Sequence, residues 1–359
     1  MSEIRALRKG DVPAVARLHA GAVGRPELAE RLASFFERTL VDAPPSDPEV
    51  PSLVAVDGGA IVGFLGSYVR PMEFEGRHVR MACSAHLLTD RSVRTQALGA
   101  LILRRFLDGP QDVTITDGAT REVQRMWESF GGASAHLQSL VWVEPIRPAA
   151  LAAHRLAHRF SAARVETALR PLSALVDLPA RRLLHAEPAE YSVASADAAE
   201  FARAVSEVTN GFALRPLYDQ TYLSWLFAEL RRVAAEPPVF PDRVERGELA
   251  SCVVSLKGHI VGAFACQTRR GGACRVLAAY CSVRDAPLVL AAVRAHAEAN
   301  GAAAIFGRVE PHLMAALWQR RILIRFGGGR MLVQSDDARL ESAPARGNAI
   351  LTRFDGEWW

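Results

Sequence analysis

The chain has 359 residues, half of them hydrophobic and 23% charged, which is enough apolar material for real cores and a length that suggests two domains. That balance excludes disorder, collagen-like repeats and a disulfide scaffold as descriptions of the whole chain. The 43 basic residues exceed the 39 acidic ones by four, and only Lys9 and Lys257 are lysines, which leaves 41 arginines; no basic stripe with interleaved aromatics marks a nucleic-acid reader.

Five cysteines, Cys83, Cys252, Cys266, Cys274 and Cys281, contain no C-x-x-C pair, as expected of a reduced, cytoplasmic chain. The N-terminus lacks an apolar targeting core, and no run of about 18 apolar residues occurs, so neither export nor a membrane span is expected.

In chain order, Asp11 is a candidate cap for a first helix with Val12, Val15 and Leu18 at helical spacing, and a second helix covers Glu27 to Leu40. Ser52 to Gly66 reads as two strands around an Asp57-Gly58-Gly59 turn, since these residues accept the positive φ of tight hairpins. A strand over Val79 to Leu88, a helix over Leu98 to Leu107, a strand over Asp112 to Asp117, a helix over Arg121 to Phe130 and a strand over Leu137 to Val143 complete the first half.

Ala149 to Glu187 differs in kind. It is rich in Ala and Arg, and Arg155, Arg159, Arg164, Arg170, Arg181 and Arg182 stand there against Glu166 and Asp177. It reads as a helical connector with a solvated face, or as a basic helix that contacts an acidic carrier or a membrane surface. His154 and His158 are spaced like a metal pair, but Arg155 lies between them and no third ligand is evident, so no metal is expected. Beyond Tyr191 come helices over Ser195 to Val208 and Leu217 to Ala235, a hairpin around Lys257-Gly258, a strand over Val276 to Ser282, and a helix over Pro287 to Asn300. A strand through Gly301 to Arg308 and a helix over Glu310 to Arg320 follow. Hairpin, strand, helix, strand, helix thus occurs twice, as in a tandem duplication.

One element of the first half carries a mechanism. The strand ending at Thr89 leads through a loop with small residues at Ala97 and Gly99 into a helix, and such a turn points backbone N–H groups and the helix dipole at an anion. Arg94-Thr-Gln-Ala-Leu-Gly99 resembles the R/Q-x-x-G-x-G/A loop of the GNAT superfamily of N-acyltransferases. Ile4 to Asp11 resembles the first strand and helix of that superfamily, Ile61-Val-Gly-Phe-Leu-Gly66 its central strand, and Thr120 to Gly131 its late helix. The resemblance covers residues 1 to about 143, and the closing Asp355-Gly-Glu-Trp-Trp359 is similar to tandem bacterial members.

The resemblance implies an α/β (α+β) fold of two GNAT-like domains, each a mixed, mostly antiparallel sheet flanked by helices. Residues 1–148 would bind the acyl-CoA, 149–187 connect, and 188–359 form a degenerate domain shaping the acceptor pocket. Backbone groups at Leu87, Leu88 and Thr89 would pair with the pantetheine arm of acetyl-CoA or another acyl-CoA. Arg94, Thr95, Gln96, Ala97, Leu98, Gly99 and Ala100 would hold the pyrophosphate, and Thr120 would contact the arm. The implied activity is transfer of an acyl group to a small-molecule amine in a ternary complex; a silent acyl-CoA-binding scaffold is the alternative.

Candidates for proton transfer or acyl carriage are His86, because imidazole is a side chain able to titrate near neutrality, Cys83 as a nucleophile, and Asp117 as a base or helix cap. Where the family often has a tyrosine that protonates the leaving thiolate, this chain has Trp127, which lacks a labile hydroxyl proton. Two terminal tryptophans beside Asp355 and Glu357 predict a docked tail. By resemblance to the enhanced-intracellular-survival type, the carboxylate of Trp359 is a candidate base. In the second half Pro287 follows the strand, with no glycine at the loop, so loss of the cofactor site is expected there.

Overall fold

The structure, a computed structural model, describes residues 2–44, 46–90, 97–159, 191–240 and 247–357. Its strands are β1 (Glu3–Ala6), β2 (Leu53–Asp57), β3 (Ala60–Phe74), β4 (Arg77–Thr89), β5 (Val113–Ala119), β6 (Ala133–Ala135), β7 (Leu140–Pro145), β8 (Tyr191–Ser195), β9 (Leu214–Pro216), β10 (Glu248–Leu256), β11 (His259–Thr268), β12 (Ala273–Cys281), β13 (Ala304–Arg308), β14 (Leu323–Phe326) and β15 (Arg330–Gln334). The α-helices are α1 (Val12–Ala22), α2 (Ala29–Phe36), α3 (Ala97–Leu107), α4 (Arg121–Ser129), α5 (Pro148–Arg159), α6 (Ala198–Val208), α7 (Gln220–Ala235), α8 (Ala286–Ala299), α9 (Met314–Trp318) and α10 (Ala338–Ser342).

The strands form two sheets with flanking helices, the α/β class the resemblance implies. One has the order β1-β2-β3-β4-β5-β15-β6, with β9 added on β3, and the other β14-β7-β13-β12-β11-β10-β8. Among the described residues the parallel pairs within the sheets are β4–β5 and β12–β13; the rest are antiparallel.

Two late strands are exchanged. β7, from the first half, lies antiparallel to β13 in the second sheet, with Arg308 opposite Val141. β15, from the second half, lies antiparallel to β5 in the first, with Arg330 opposite Ala119. The strand expected over Leu137 to Val143 therefore forms as β7, but its hydrogen bonds complete the other sheet.

Local chemistry explains most elements. β3 is buried along most of its length on both faces, as its apolar run requires. At Gly63 a Cβ would stand 2.6 Å from Ile102 Cδ1, so the missing side chain lets α3 lie directly on the sheet; Gly262 does the same for α8, where a Cβ would meet Val289 Cγ2 at 2.2 Å. The helix expected from Ser195 starts instead at Ala198. Ser195 ends β8 opposite Cys252, while Asp197 accepts from Glu200 N at 2.9 Å and Glu200 accepts from Asp197 N at 3.1 Å, a reciprocal cap that sets the start. Asp11 precedes α1 but makes no side-chain cap; its carboxylate pairs with Arg5 at 2.6 Å. The helix expected over Glu310 to Arg320 is a 3₁₀ turn at Pro311–Leu313 followed by the short α9.

One apolar cluster joins the halves: Phe35, Phe36, Tyr68 and Met81 pack in it with Phe201, Tyr222, Leu277 and Phe354. The opposite face of the first sheet packs on α3 and α4 through Ala82, Leu98, Ile102 and Trp127. The second sheet packs on α8 through Phe264, Val289 and Val293.

Candidate active site

β4 and β5 pair for three residues, Met81 with Val113, Ala82 with Thr114 and Cys83 with Ile115, and then part. Past this point β4 runs on to Thr89 and β5 to Ala119, with β15 on the far side of β5. The β3–β4 register slips opposite Leu65, and His86 there adopts φ 58°, a left-handed conformation that costs an L-residue roughly 1–2 kcal/mol. The gap is a cleft of about 240 Å³ lined by His19, Ser84 to Leu87, Leu103, Thr116, Gly118 to Thr120, Val123 and, from the second half, Phe240 and Glu357.

At one end of β4, α3 opens at Ala97. The first N–H groups of a helix have no intrahelical acceptor, which suits a helix start to an anion; among the described residues a Cβ on Gly99 would meet Thr89 Cγ2, at 3.8 Å. Arg94, Thr95 and Gln96 lie outside the described residues. Leu87, Leu88 and Thr89 continue β4 past the splay, half-buried. Thr120 caps α4, its Oγ1 accepting from Val123 N at 3.4 Å, and it lines the cleft.

At the other end stands His86, whose Nε2 is 3.2 Å from Tyr68 Oη. Its ring stacks on Phe240, with centroids 5.5 Å apart, and meets the edges of Phe36 and His19. Cys83 is fully buried behind the fork, and burial together with the carboxylates of Asp117 and Glu357 pushes its thiol well above its ordinary value, so it stays protonated. Burial likewise pushes the Tyr68 hydroxyl upward. Trp127 is fully buried, and its Nε1 donates to Val333 O on β15 at 3.2 Å.

The C-terminal segment brings further chemistry into the fork. Arg353 N donates to Leu277 O at 3.1 Å, Tyr222 Oη to Phe354 O at 2.8 Å and Arg70 Nε to Phe354 O at 3.3 Å. Tyr218 Oη donates to Asp355 Oδ1 at 2.5 Å, and Asp355 also accepts from Thr352 N at 2.7 Å. Burial raises the Asp355 carboxyl above its usual value despite these bonds. Asp117 accepts from Glu357 N at 3.0 Å and from Arg308 Nη1 at 3.2 Å; Arg308 also donates to Glu310 Oε1 at 3.0 Å and to Leu351 O. Burial lifts the Glu310 carboxyl to about 7, even with Arg308 beside it.

These contacts set the Glu357 carboxylate against Gly118, where a Cβ would stand 2.7 Å from it, and into the cleft. The structure therefore gathers His86, Thr116, Thr120 and Glu357 around one space. It encloses Cys83 and ties Asp117 into the anchoring of the tail. Glu357 is absent from the site candidates read from the sequence, where Trp359, which lies outside the described residues, stands instead; the signal is a carboxylate followed by two tryptophans in a tail that has reason to dock.

No protein-family model matches the sequence, and no curated protein sequence matches it. Solved structures do match its fold. A GCN5-related N-acetyltransferase from Kribbella flavida aligns over 94% of this chain and 72% of its own, at 15% identity and a TM-score of 0.53. A GCN5-related N-acetyltransferase from Anabaena variabilis aligns over 93% and 73%, at 13% identity and 0.57. A probable N-acyltransferase from Enterococcus faecalis aligns over 93% and 73%, at 11% identity and 0.57. The chain has the fold of the GCN5-related N-acetyltransferases along nearly its whole length.

Proposed function

We propose that the protein is an acyl-CoA-dependent N-acyltransferase, acetyl-CoA being the expected donor and a small-molecule amine the acceptor. The observation that carries this reading is the fork between β4 and β5, with a helix N-terminus beyond one end and a carboxylate and an imidazole at the other. Residues 1–148 would hold the donor and 188–359 would shape the acceptor side. The fold likeness supports this chemistry.

In this reading the pyrophosphate lies at the start of α3, and the arm runs back along Thr89, Leu88 and Leu87 as a pseudo-strand. The thioester carbonyl then sits near the backbone of His86. The amine attacks that carbon; a C–N bond forms, its proton passes to Glu357 or His86, and the C–S bond breaks as coenzyme A leaves as thiolate. Tyr68, on His86 Nε2, would return a proton toward the thiolate by way of that imidazole. Asp117 acts as a positioning residue, because its carboxylate carries Arg308 and the Glu357 N–H.

Calorimetric titration with acetyl-CoA tests the donor site. The wild type should bind at micromolar Kd, and Gly99→Asp, which adds a negative charge and bulk at the helix start, should weaken binding at least ten-fold. A folded wild type that binds no acyl-CoA overturns the reading. One observation favours a silent acyl-CoA binder instead: Trp127 stands where the family often has a tyrosine and commits its N–H to Val333 O. Tight binding with no turnover across a broad amine panel selects that alternative. The suggested contact with an acidic carrier or membrane surface rests on the connector, most of which lies outside the described residues; no described helix is long and apolar enough to cross a membrane.

A further inference from the structure

The inner end of the cleft is walled by rings. β4 presents Ala85 and Cys83 to the face where α1 and α2 pack, and Ala82 to the face of α3 and α4. A cleft lined by both Leu103 of α3 and His19 of α1 therefore passes between the strands from one face of the sheet to the other. If the donor enters from the start of α3, whatever lies beyond its thioester points toward His19, His86 and Phe240.

Those three rings close on one another. Phe240 lies nearly parallel to His86, at 5.5 Å and 19°, and His19 meets both edge-on at 5.5 and 5.8 Å. Phe35 and Phe36 back them, at 5.5 Å from Phe240 and 5.1 Å from His86. His86 is fixed by its left-handed backbone and by Tyr68. Phe240 differs: it comes from the second half of the chain and follows the buried Val239. At about 240 Å³ the cleft is smaller than the roughly 300 Å³ at which ligand pockets usually begin, so an acyl chain and the wall compete for the same space.

We infer that Phe240, stacked on His86, sets the acyl length that the cleft accepts, admitting acetyl and propionyl groups and excluding longer chains; this rests on the acyl-CoA reading above. Removing the ring opens the wall without touching the start of α3, so affinity for the coenzyme A portion is retained while length discrimination is lost.

The test titrates the full chain with free coenzyme A and with acetyl-, propionyl-, butyryl- and hexanoyl-CoA, in the wild type, Phe240→Ala and Phe240→Leu. The wild type should bind hexanoyl-CoA at least about ten-fold more weakly than acetyl-CoA, in line with the cost of misfitted methylenes in an apolar pocket. Phe240→Ala should bring the two within about three-fold, with Phe240→Leu between, and free coenzyme A should bind all three proteins alike. Should Phe240→Ala lose free coenzyme A through misfolding, the Leu variant decides. Equal binding of acetyl- and hexanoyl-CoA by the wild type overturns the inference, as does an unchanged ranking in a variant that binds free coenzyme A normally. A wild type that binds neither free coenzyme A nor any thioester overturns the donor reading as well, so the two failures are distinct.

Discussion

Beyond Cys83 and Ile115 the first sheet opens into a cleft between its parallel strands, whereas beyond Arg275 and Phe306 the second sheet has the chain's own tail against β12, with Arg353 N on Leu277 O. His312 Nε2 bonds to Ala279 O on the same strand at 3.1 Å and is fully buried; burial holds this histidine down at about 4, in its neutral form. The helix ends differ too. Among the described residues a Cβ on Gly99 in α3 would meet Thr89 Cγ2 at 3.8 Å, while α8 is preceded by Asp285, held by Ser282 Oγ at 2.6 Å, and carries Pro287 in its first turn. A carboxylate and a missing N–H at a helix start oppose an anion there. Two sheets with one strand order thus differ in what their forks admit, and the segment that fills the second fork delivers Glu357 to the first.

The largest effect that would sharpen this contrast is on rate. Glu357→Gln should lower kcat by about 10²–10⁴-fold while leaving the Kd for acetyl-CoA near the wild-type value, as expected for loss of a proton acceptor; an unchanged kcat would assign the tail to anchoring alone. Next comes the ion cluster that joins the forks. Arg308→Ala leaves Glu310 buried without its ion-pair partner and Asp117 with the more distant Arg353, at 3.9 Å, and should destabilise the fold by about 3–5 kcal/mol in chemical denaturation, with Glu357 displaced from the cleft.

Glu310 should make stability pH-dependent. Its folded value near 7 lies above the ordinary 4.5, so the native state keeps a proton that the unfolded chain releases. Its contribution is complete below about 4.5 and is lost as the pH rises through 7, a swing of about 3 kcal/mol at most. Glu310→Gln should remove that slope from denaturation curves collected across this range. The smallest effect separates the two helix contacts. Gly262→Ala meets Val289 Cγ2 at 2.2 Å and Tyr280 O at 2.9 Å, a backbone atom that resists displacement, and should cost about 1–3 kcal/mol. Gly63→Ala meets the movable tip of Ile102 at 2.6 Å and should cost less; the reverse order in thermal melts would show that the first half is the more tightly packed.

Most of the elements were legible in the chain. Asp57-Gly58-Gly59 marks its hairpin, and Gly58 and Gly59 take φ of 55° and 82°. The strand to Thr89 and the helix from Ala97 form close to where the apolar spacing places them. Glu357 was harder to place, because its value lies in a backbone bond to a residue 240 positions away. Asp117 and Cys83 sit in the right strands, but only burial and their neighbours separate a buried ion pair or an inert thiol from a reacting group.

What the sequence determined by itself is local: periodicity sets most strands and helices, glycines admit the helices onto the sheets, and Asp197 with Glu200 caps α6 through contacts within its own first turn. Only the tertiary structure decided that β7 and β15 change sheets and that residues 351–357 cross from one fork to the other. A strand's alternation says which face is buried but is indifferent to which edge it joins. That choice belongs to backbone hydrogen bonds and buried charges between segments far apart in the chain, whose energies exist only once both partners are in place.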